Sequence, residues 1–232
     1  MRTIEELRDV DDRAWPVIEE AIAGADHPVE VITGDRVAGE QALLLLQVTT
    51  RSFLGALALH TGGLLIDHGW LRILGGGRGP LNLCTATGVD QPPDEPPGQV
   101  LVAFDVLGSK FAINGGALPG SPGEVCYFAP DDLAWLPLEM KFSEFVLWSL
   151  TDSLGLFYEH LRWPGWEAEV ASLALDQGLS LVPPPFTTQG SDLSKVSRRP
   201  IPIAELMSYW EGVAQQLKNV PDGGQFCVDI VD

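Results

Sequence analysis

Basic residues are scarce in this sequence. Lysine and arginine together number 14, against 32 aspartates and glutamates in 232 residues, which gives a formal net charge of −18. Nucleic acids and anionic membrane surfaces are themselves negative, so their electrostatic contribution to binding this chain would be repulsive. The composition therefore argues against both as partners. An acidic surface suits a basic protein partner, and solubility alone also explains it.

Cysteine is rare too, and long hydrophobic runs are missing. Cys84, Cys126 and Cys227 lie far apart, without the short spacing of metal or redox motifs, which is typical of thiols in a reducing compartment. The N-terminal residues are acidic and have no apolar core, so no signal peptide is predicted. No uninterrupted apolar segment reaches the roughly 18 residues that a membrane helix needs. These absences predict a cytoplasmic protein that does not associate with membranes.

Motifs for catalysis and for cofactor binding are missing as well. The sequence has no G-x-S-x-G nucleophile elbow, and four histidines are available as a general base. The glycine cluster Gly75–Gly79 lacks the spacing of a phosphate-binding loop, and we interpret it as an ordinary loop. His60, Asp67 and His68 carry metal-ligand chemistry, but their spacing matches no metal signature and favours a turn. We predict no catalytic residue, no metal site and no cofactor.

The sequence does contain enough apolar material for a core, with 45% hydrophobic residues and seven tryptophans. Helical patterns fill residues 1–46, strand patterns fill residues 47–140, and helical patterns return in residues 141–232. Runs of helices and runs of strands, rather than a strict alternation, are typical of an α+β fold. We predict a single α+β domain over residues 1–232, with a curved, mainly antiparallel sheet of about six to eight strands flanked by helices.

Local signals place the individual elements. Thr3 and Glu6 form a capping box for the first helix, and Asp35 caps a helix that runs to Leu46. A second helix is predicted to begin near Asp11 or Asp12. Three further helices are predicted over Ser143–Arg162, Trp166–Leu175 and Ile203–Lys218. The strands predicted outside residues 47–80 are Val29–Thr33, Gln99–Val106, Lys110–Asn114, Glu124–Phe128, Leu133–Leu138 and, at the edge, Gln225–Val231. Residues 81–98 are predicted as a loop, and Leu179–Pro202 as an extended crossing segment.

Residues 47–80 hold the densest strand pattern. We predict three consecutive antiparallel strands at Leu54–His60, Leu64–Asp67 and Trp70–Leu74. Thr61–Gly63 and His68–Gly69 supply the two turns between them, because glycine accepts a positive φ without a clash. The middle strand has almost no polar residue and should be buried on both faces. The sheet is predicted to begin in this segment.

The same segment has the one local excess of positive charge that stands out. Its bases are Arg51, Arg72 and Arg78, and its acid is Asp67, which leaves a local balance of +2. One hypothesis is that the arginines line a site for an anion or an acidic partner, with His68 and Trp70 at its edge, since the guanidinium fork suits carboxylate and phosphate. The other is that they pair with the surplus carboxylates of the chain itself.

Several motifs resemble known families. LQVTTRS-x-LGA (Leu46–Ala56), TGGLLIDHGWLRILG (Thr61–Gly75) and DVDDRAWP (Asp9–Pro16) resemble the bacterial domain-of-unknown-function family 2625 (DUF2625), which implies no activity. The order of elements over Gln99–Leu150 is similar to the SUKH superfamily, which includes toxin-neutralising immunity proteins and adaptor-like proteins. That similarity implies an α+β fold with a curved sheet and a binding role, and transfers no site residue.

Two functional hypotheses follow. The leading one is a non-enzymatic cytoplasmic protein of the immunity or adaptor kind, which binds a basic protein such as a toxin through loops around the sheet. The alternative is a small-molecule-binding protein or enzyme with its site at Arg51, Asp67, His68 and Trp70. An apolar pocket that encloses these side chains would favour the alternative. A flat or shallow acidic groove would favour the first.

Overall fold

A computed structural model describes residues 1–8, 11, 13–77, 79, 81–91 and 95–218. The α-helices are α1 (Ile4–Arg8), α2 (Ala14–Ala23), α3 (Arg36–Leu46), α4 (Phe53–His60), α5 (Leu83–Thr87), α6 (Phe142–Ser149), α7 (Ser153–Phe157), α8 (Trp166–Ala171) and α9 (Ile203–Leu217). The strands are β1 (Val29–Thr33), β2 (Thr61–Ile66), β3 (Leu71–Leu74), β4 (Gln99–Asp105), β5 (Lys110–Asn114), β6 (Glu124–Phe128), β7 (Trp135–Lys141), β8 (Gln177–Val182) and β9 (Ser197–Pro202). A 3-10 turn covers Glu159–Leu161.

The main sheet is a meander of seven strands. Its spatial order is β1-β2-β3-β4-β5-β6-β7, and every neighbouring pair is antiparallel. A second, two-stranded antiparallel sheet pairs β8 with β9. The predicted α+β class and the mainly antiparallel sheet of six to eight strands are therefore confirmed.

Several elements were predictable from short-range chemistry. The Thr3 N–H donates to Glu6 Oε2 at 2.8 Å and the Glu6 N–H to Thr3 Oγ1 at 3.4 Å, so the predicted capping box is present. Asp35 caps α3 by accepting a hydrogen bond from the Ala38 N–H at 3.0 Å. The predicted bounds of β1, β5 and β6 match those of the structure. Gln225–Val231 and Cys227 lie outside the described residues.

The prediction for Leu54–His60 was wrong, because this segment is helix α4 and not a strand. Ser52 caps the helix by accepting the Gly55 N–H at 3.1 Å. Five of its residues are buried, so its apolar residues are not confined to one face and the helical period is hidden. Thr61–Gly63, predicted as a turn, forms the first half of β2. The sheet begins with β1, at residue 29 rather than within residues 47–80.

The segment predicted as one helix from Ser143 to Arg162 is interrupted. It forms α6, α7 and the 3-10 turn, with Lys141 rather than Ser143 at the N-cap of α6. The hydroxyl of Thr151 donates to the Trp148 carbonyl at 2.8 Å, and Asp26 accepts the Asp152 N–H at 3.0 Å. Hydroxyl and carboxylate groups compete here with the helical hydrogen bonds, which ends the helix.

Two further corrections concern segments predicted without regular structure. Residues 81–98 include the short helix α5, which Asn82 caps by accepting the Thr85 N–H at 2.8 Å. The segment predicted as an extended crossing, Leu179–Pro202, contains most of β8 and all of β9. β9 has two prolines and two arginines in six residues, a composition unusual for a strand, and it pairs only with β8 among the described strands.

The C-terminal elements pack against the turn between β4 and β5. The Leu179 N–H donates to the carbonyl of Val106 at 2.7 Å, and the indole N–H of Trp210 to that of Leu107 at 2.8 Å. Gly108 has a φ of +83°, and a Cβ there would lie 2.8 Å from the Leu206 side chain. Glycine is therefore required both for the turn and for the close approach of α9.

Candidate functional site

The turn between β2 and β3 positions the predicted site residues. Asp67, His68 and Gly69 have φ values of 53°, 60° and +83°, and the Trp70 N–H donates to the Asp67 carbonyl at 3.0 Å. This left-handed turn buries Asp67 and Trp70 while His68 is exposed. The predicted turn at His68–Gly69 is therefore present, and it separates the neighbouring side chains into internal and external ones.

Asp67 is engaged by other residues of the chain. Its side chain is buried, and its Oδ2 accepts a hydrogen bond from Arg162 Nη2 at 2.5 Å and lies 3.7 Å from Nδ1 of His27. A buried carboxylate needs such partners because burial removes its hydration. The arrangement joins the β2–β3 turn to the 3-10 turn region and to the residues that precede β1. Asp67 thus makes an internal ion pair.

Trp70 is fully buried in a cluster of aromatic rings and arginine. Its ring centroid lies 5.5 Å from that of Tyr158, 5.7 Å from Trp163 and 5.1 Å from Trp166. The guanidinium carbon of Arg162 lies 5.1 Å from the Trp70 centroid and 4.1 Å from that of Trp166. These distances suit cation–π contacts. With no exposed surface, Trp70 contributes to the core rather than to a ligand-binding surface.

Arg72 clamps the segment between α8 and β8. Its side chain is buried, with Nη1 donating to the carbonyls of Leu175 and Gln177 at 2.8 Å each and to that of Ala174 at 3.3 Å, and Nε donating to that of Gly69 at 3.1 Å. Burial lowers the pKa of Arg72 to about 10, which still leaves it charged at neutral pH. No hydrogen bond from Nη2 is found within the described residues.

The remaining arginines of residues 47–80 are not part of this cluster. Arg51 is exposed and lies in a separate recess of about 470 Å³, where Lys141 is the other basic side chain. Arg78 lies outside the described residues. The structure thus brings together Asp67, His68, Trp70 and Arg72 on one hairpin, and places Arg51 at a different surface.

His60 is also separate from the hairpin residues with which it was considered as a metal ligand. Its ring stacks on that of Trp15, with centroids 4.9 Å apart and an interplanar angle of 17°. In the part of the chain that the structure describes, no group of three or more His, Cys, Asp and Glu side chains is arranged to hold a metal ion.

A cleft of about 420 Å³ lies beside the β2–β3 turn, and we name it the β1 cleft. Its walls are residues of β1 to β3 with the turn on one side, and α8 with the segment after it on the other. The polar side chains that line it are Glu30, His68 and Arg72. Apolar residues supply most of the rest, namely Pro28, Val29, Ile32, Leu65, Val170, Ala171, Leu173 and Leu175. The cleft is open to solvent and can accommodate an apolar side chain next to a charged one.

Asp105 belongs to a buried polar group that sequence reasoning missed. It is fully buried, and its Oδ1 accepts hydrogen bonds from the N–H groups of Leu107 at 2.9 Å and Ser109 at 3.0 Å. Burial raises the pKa of Asp105 to about 6. Burial, together with the nearby charge of Asp105, raises the pKa of Tyr158 well above its ordinary value. Within the described residues, neither Asp105 Oδ2 nor the Tyr158 hydroxyl makes a hydrogen bond. A single Asp at a strand end gives no signal of such burial.

Replacing Asp105 with Asn is expected to change how stability depends on pH. Because the folded-state pKa of about 6 exceeds the ordinary value of 3.8, the folded state binds more protons than the unfolded state between these values. The contribution of Asp105 to the free energy of unfolding therefore falls by about 2 to 3 kcal/mol as the pH rises from about 4 to about 7. Asp105→Asn should lack this fall and be the more stable protein at pH 7.

Urea unfolding of the native protein, Asp105→Asn and Asp132→Asn at several pH values checks this. Asp132 is exposed, so Asp132→Asn makes the same change in charge without relieving a buried carboxylate, and it should follow the native profile. Parallel profiles for the native protein and Asp105→Asn would show that Asp105 is not the group responsible.

Comparison with known proteins places the chain in a family. The model of the family described as "Protein of unknown function DUF2625" matches residues 4–206. The chain belongs to the DUF2625 family. This family relationship confirms the resemblance carried by Leu46–Ala56 and Thr61–Gly75.

Two relatives of this DUF2625 chain align over most of its length. This chain is 38% identical to the uncharacterized protein YbfG of Escherichia coli (strain K12), over 91% of this chain and 95% of the relative. It is 36% identical to an uncharacterized protein of Haemophilus influenzae, over 79% of this chain and 82% of the relative. No solved structure gives a significant match, so the similarity to SUKH proteins stays a prediction. Among the described helices of this DUF2625 chain, none is long and apolar enough to cross a membrane.

Proposed function

We propose that this member of the DUF2625 family is a non-enzymatic, cytoplasmic binding protein of the immunity or adaptor kind, and that it recognises a basic segment of a partner protein at the β1 cleft. The observation that carries the proposal is the composition of the cleft wall. Glu30 is its carboxylate, Ile32 and Leu65 are apolar neighbours, and the cleft is open to solvent. An open cleft with one acid and an apolar wall suits a Lys or Arg side chain of a partner, whose long stem packs on apolar surface.

The charge of the chain supports the same kind of partner. A formal net charge of −18 attracts basic proteins over a distance and raises their association rate. Arg72 is the arginine that lines the cleft, and four hydrogen bonds tie it to carbonyl groups. These bonds orient the guanidinium and leave its charge in place, so the long-range attraction for a basic partner comes from the chain as a whole and the local contact from Glu30.

A second candidate is a small molecule with a carbonyl or carboxylate group, and one observation favours it. Arg72 is buried, lines the cleft, and has an Nη2 group without a hydrogen-bond partner among the described residues. A ligand oxygen that reached Nη2 would receive a charge-assisted hydrogen bond. In this alternative Arg72 and His68 hold the ligand, and Glu30 contributes little.

Reversing the charge of Glu30 separates the two candidates. The probe is a basic twelve-residue peptide selected from a displayed random library on the full chain, and its affinity is measured by fluorescence anisotropy. Glu30→Lys should weaken binding about tenfold or more, because the basic residue would then face a like charge. The matched control is Glu19→Lys, which makes the same charge change at an exposed residue outside the cleft.

Equal losses of peptide affinity in Glu30→Lys and Glu19→Lys would mean that only the overall charge of the chain matters, and would overturn the proposal. Selection that recovers no basic peptide would do the same and favour the small-molecule candidate. Loss in Glu30→Lys alone supports the cleft as the recognition site.

A further inference from the structure

Strand β1 is at one edge of the main sheet, and among the described strands only β2 pairs with it. The Asp67 N–H donates to the Pro28 carbonyl at 2.8 Å, which makes these residues a hydrogen-bonded pair next to β1. Because such pairs alternate along an antiparallel ladder, Val29 and Val31 direct their N–H and C=O groups away from β2. Within the described part of the chain, no other strand or loop forms a hydrogen bond with these outward groups.

The opposite edge of the sheet is protected, whereas β1 is not. β7 contains Pro137, ends in Lys141, has Glu139 in the left-handed region at φ 56°, and has an irregular register with β6. These features are the usual barriers to pairing with another strand. β1 has no proline and no lysine, and its one register shift comes at its last residue, Thr33.

The side chains of β1 alternate between the cleft and the opposite face of the sheet. Glu30 pairs with Leu65, and Leu65 with Arg72, so these three side chains share the face that forms the cleft wall. Val31 points to the other face and is 42% exposed. An additional strand beside β1 would therefore place alternate side chains in the β1 cleft and the others next to Val31.

We propose that the partner segment binds by adding an eighth, extended strand beside β1. This inference rests on the proposed function and specifies how the same cleft is used. Backbone hydrogen bonds to Val29 and Val31 supply sequence-independent affinity, and the side chains that enter the cleft supply the selectivity.

The register gives the sequence pattern that such a segment needs. The partner residue opposite Glu30 lies on the cleft face, where a Lys or Arg makes a cross-strand ion pair. The partner residue opposite Ile32, two positions away, enters the apolar part of the cleft. The residue between them packs against Val31 and favours a β-branched side chain. The pattern is a basic residue and an apolar residue separated by one β-branched residue.

A second copy of this chain is a poorer occupant of the same edge. Two copies would each bring a net charge of −18 to the contact, and repulsion between them opposes association. The strand VEVIT also has no basic residue to place opposite Glu30. A basic segment complements both features.

The test is an N-methyl scan of the selected basic peptide against the full native chain. N-methylation removes one backbone N–H at a time and leaves the protein unchanged. Strand addition predicts a loss of about tenfold at every second position, where the N–H faces β1, and a change of less than about twofold between them. Equal effects at consecutive positions would overturn strand addition.

A protein variant gives an independent readout. Val31→Pro removes an outward N–H and no bond to β2, so the fold should persist while peptide affinity falls about tenfold. Val31→Thr keeps the N–H and should bind like the native chain. Suppose that Glu30→Lys abolishes peptide binding, while Val31→Pro binds like the native chain and the N-methyl scan shows no alternation. The cleft is then used without strand addition, and only this inference fails. If the native chain forms a dimer that Val31→Pro dissociates and that the peptide does not disrupt, the β1 edge binds a second copy of the chain. This result would also overturn the proposed strand addition.

Discussion

Replacing Gly76 with Ala is expected to lower the free energy of unfolding by about 3 kcal/mol or more. A Cβ at residue 76 would lie 1.8 Å from the Ala58 carbonyl oxygen and 2.6 Å from the Cα of Gly39. Both neighbours are backbone atoms of α4 and α3, so no side chain can rotate away to make room. The helices themselves would have to move from the sheet. The measurement is urea unfolding followed by circular dichroism.

Gly212→Ala is the matched control. Gly212 lies in α9, is exposed, and a Cβ there would have no atom within 4 Å. The same substitution should raise stability at this position by about 0.5 to 1 kcal/mol, because alanine favours the helix. If Gly76→Ala unfolded at the same urea concentration as the native protein, the close contact between the Gly75–Gly77 segment and helices α3 and α4 would be contradicted.

Arg72→Ala is expected to cost about 3 to 5 kcal/mol, because it removes a buried side chain together with four hydrogen bonds from a charged group. The substitution removes the hydrogen bonds to the carbonyls of Gly69, Ala174, Leu175 and Gln177, and with them the side-chain contacts that tie residues 174–177 to β3. The segment that leads into β8 should then detach before the main sheet unfolds. Hydrogen exchange of residues 174–182, together with urea unfolding, measures both effects.

Arg51→Ala is the comparison that makes this result informative. Arg51 is exposed and forms no ion pair with a described residue, so its removal should change stability by less than about 0.5 kcal/mol. Equal, small effects of the two substitutions would show that Arg72 does not clamp the C-terminal segment. A large effect of Arg51→Ala would indicate a structural role that its surroundings do not explain.

The fold was predictable where the chemistry is local. Capping by Asp35 and the alternation of β5 and β6 depend on residues within a few positions of each other, and these elements appear where the sequence places them. α4 was missed because an apolar segment that is buried on most sides shows no helical period. β9 was missed because its prolines and arginines are tolerated by a strand that pairs on one side only.

The site residues of the hairpin were predictable in position and not in role, whereas Arg51 lies at a different surface. The sequence correctly places Asp67, His68 and Trp70 around one turn. It does not show that Arg162 pairs with Asp67, or that carbonyls about a hundred residues away receive the Arg72 guanidinium. Glu30 gave no signal either, because its place in the cleft wall depends on the neighbouring strands and on α8. Such roles depend on contacts between distant segments, which a single sequence does not reveal.

The strand order of the main sheet has a consequence for how the chain is made. Each strand of this sheet after β1 pairs with the strand that precedes it in the sequence, so a ribosome releases β2 to β7 when the neighbour of each is already available. The sheet can therefore assemble in the order of synthesis, through contacts that are short in sequence and close loops at low entropic cost. The segment held by Arg72 is translated after all seven strands and docks on a sheet that can already exist.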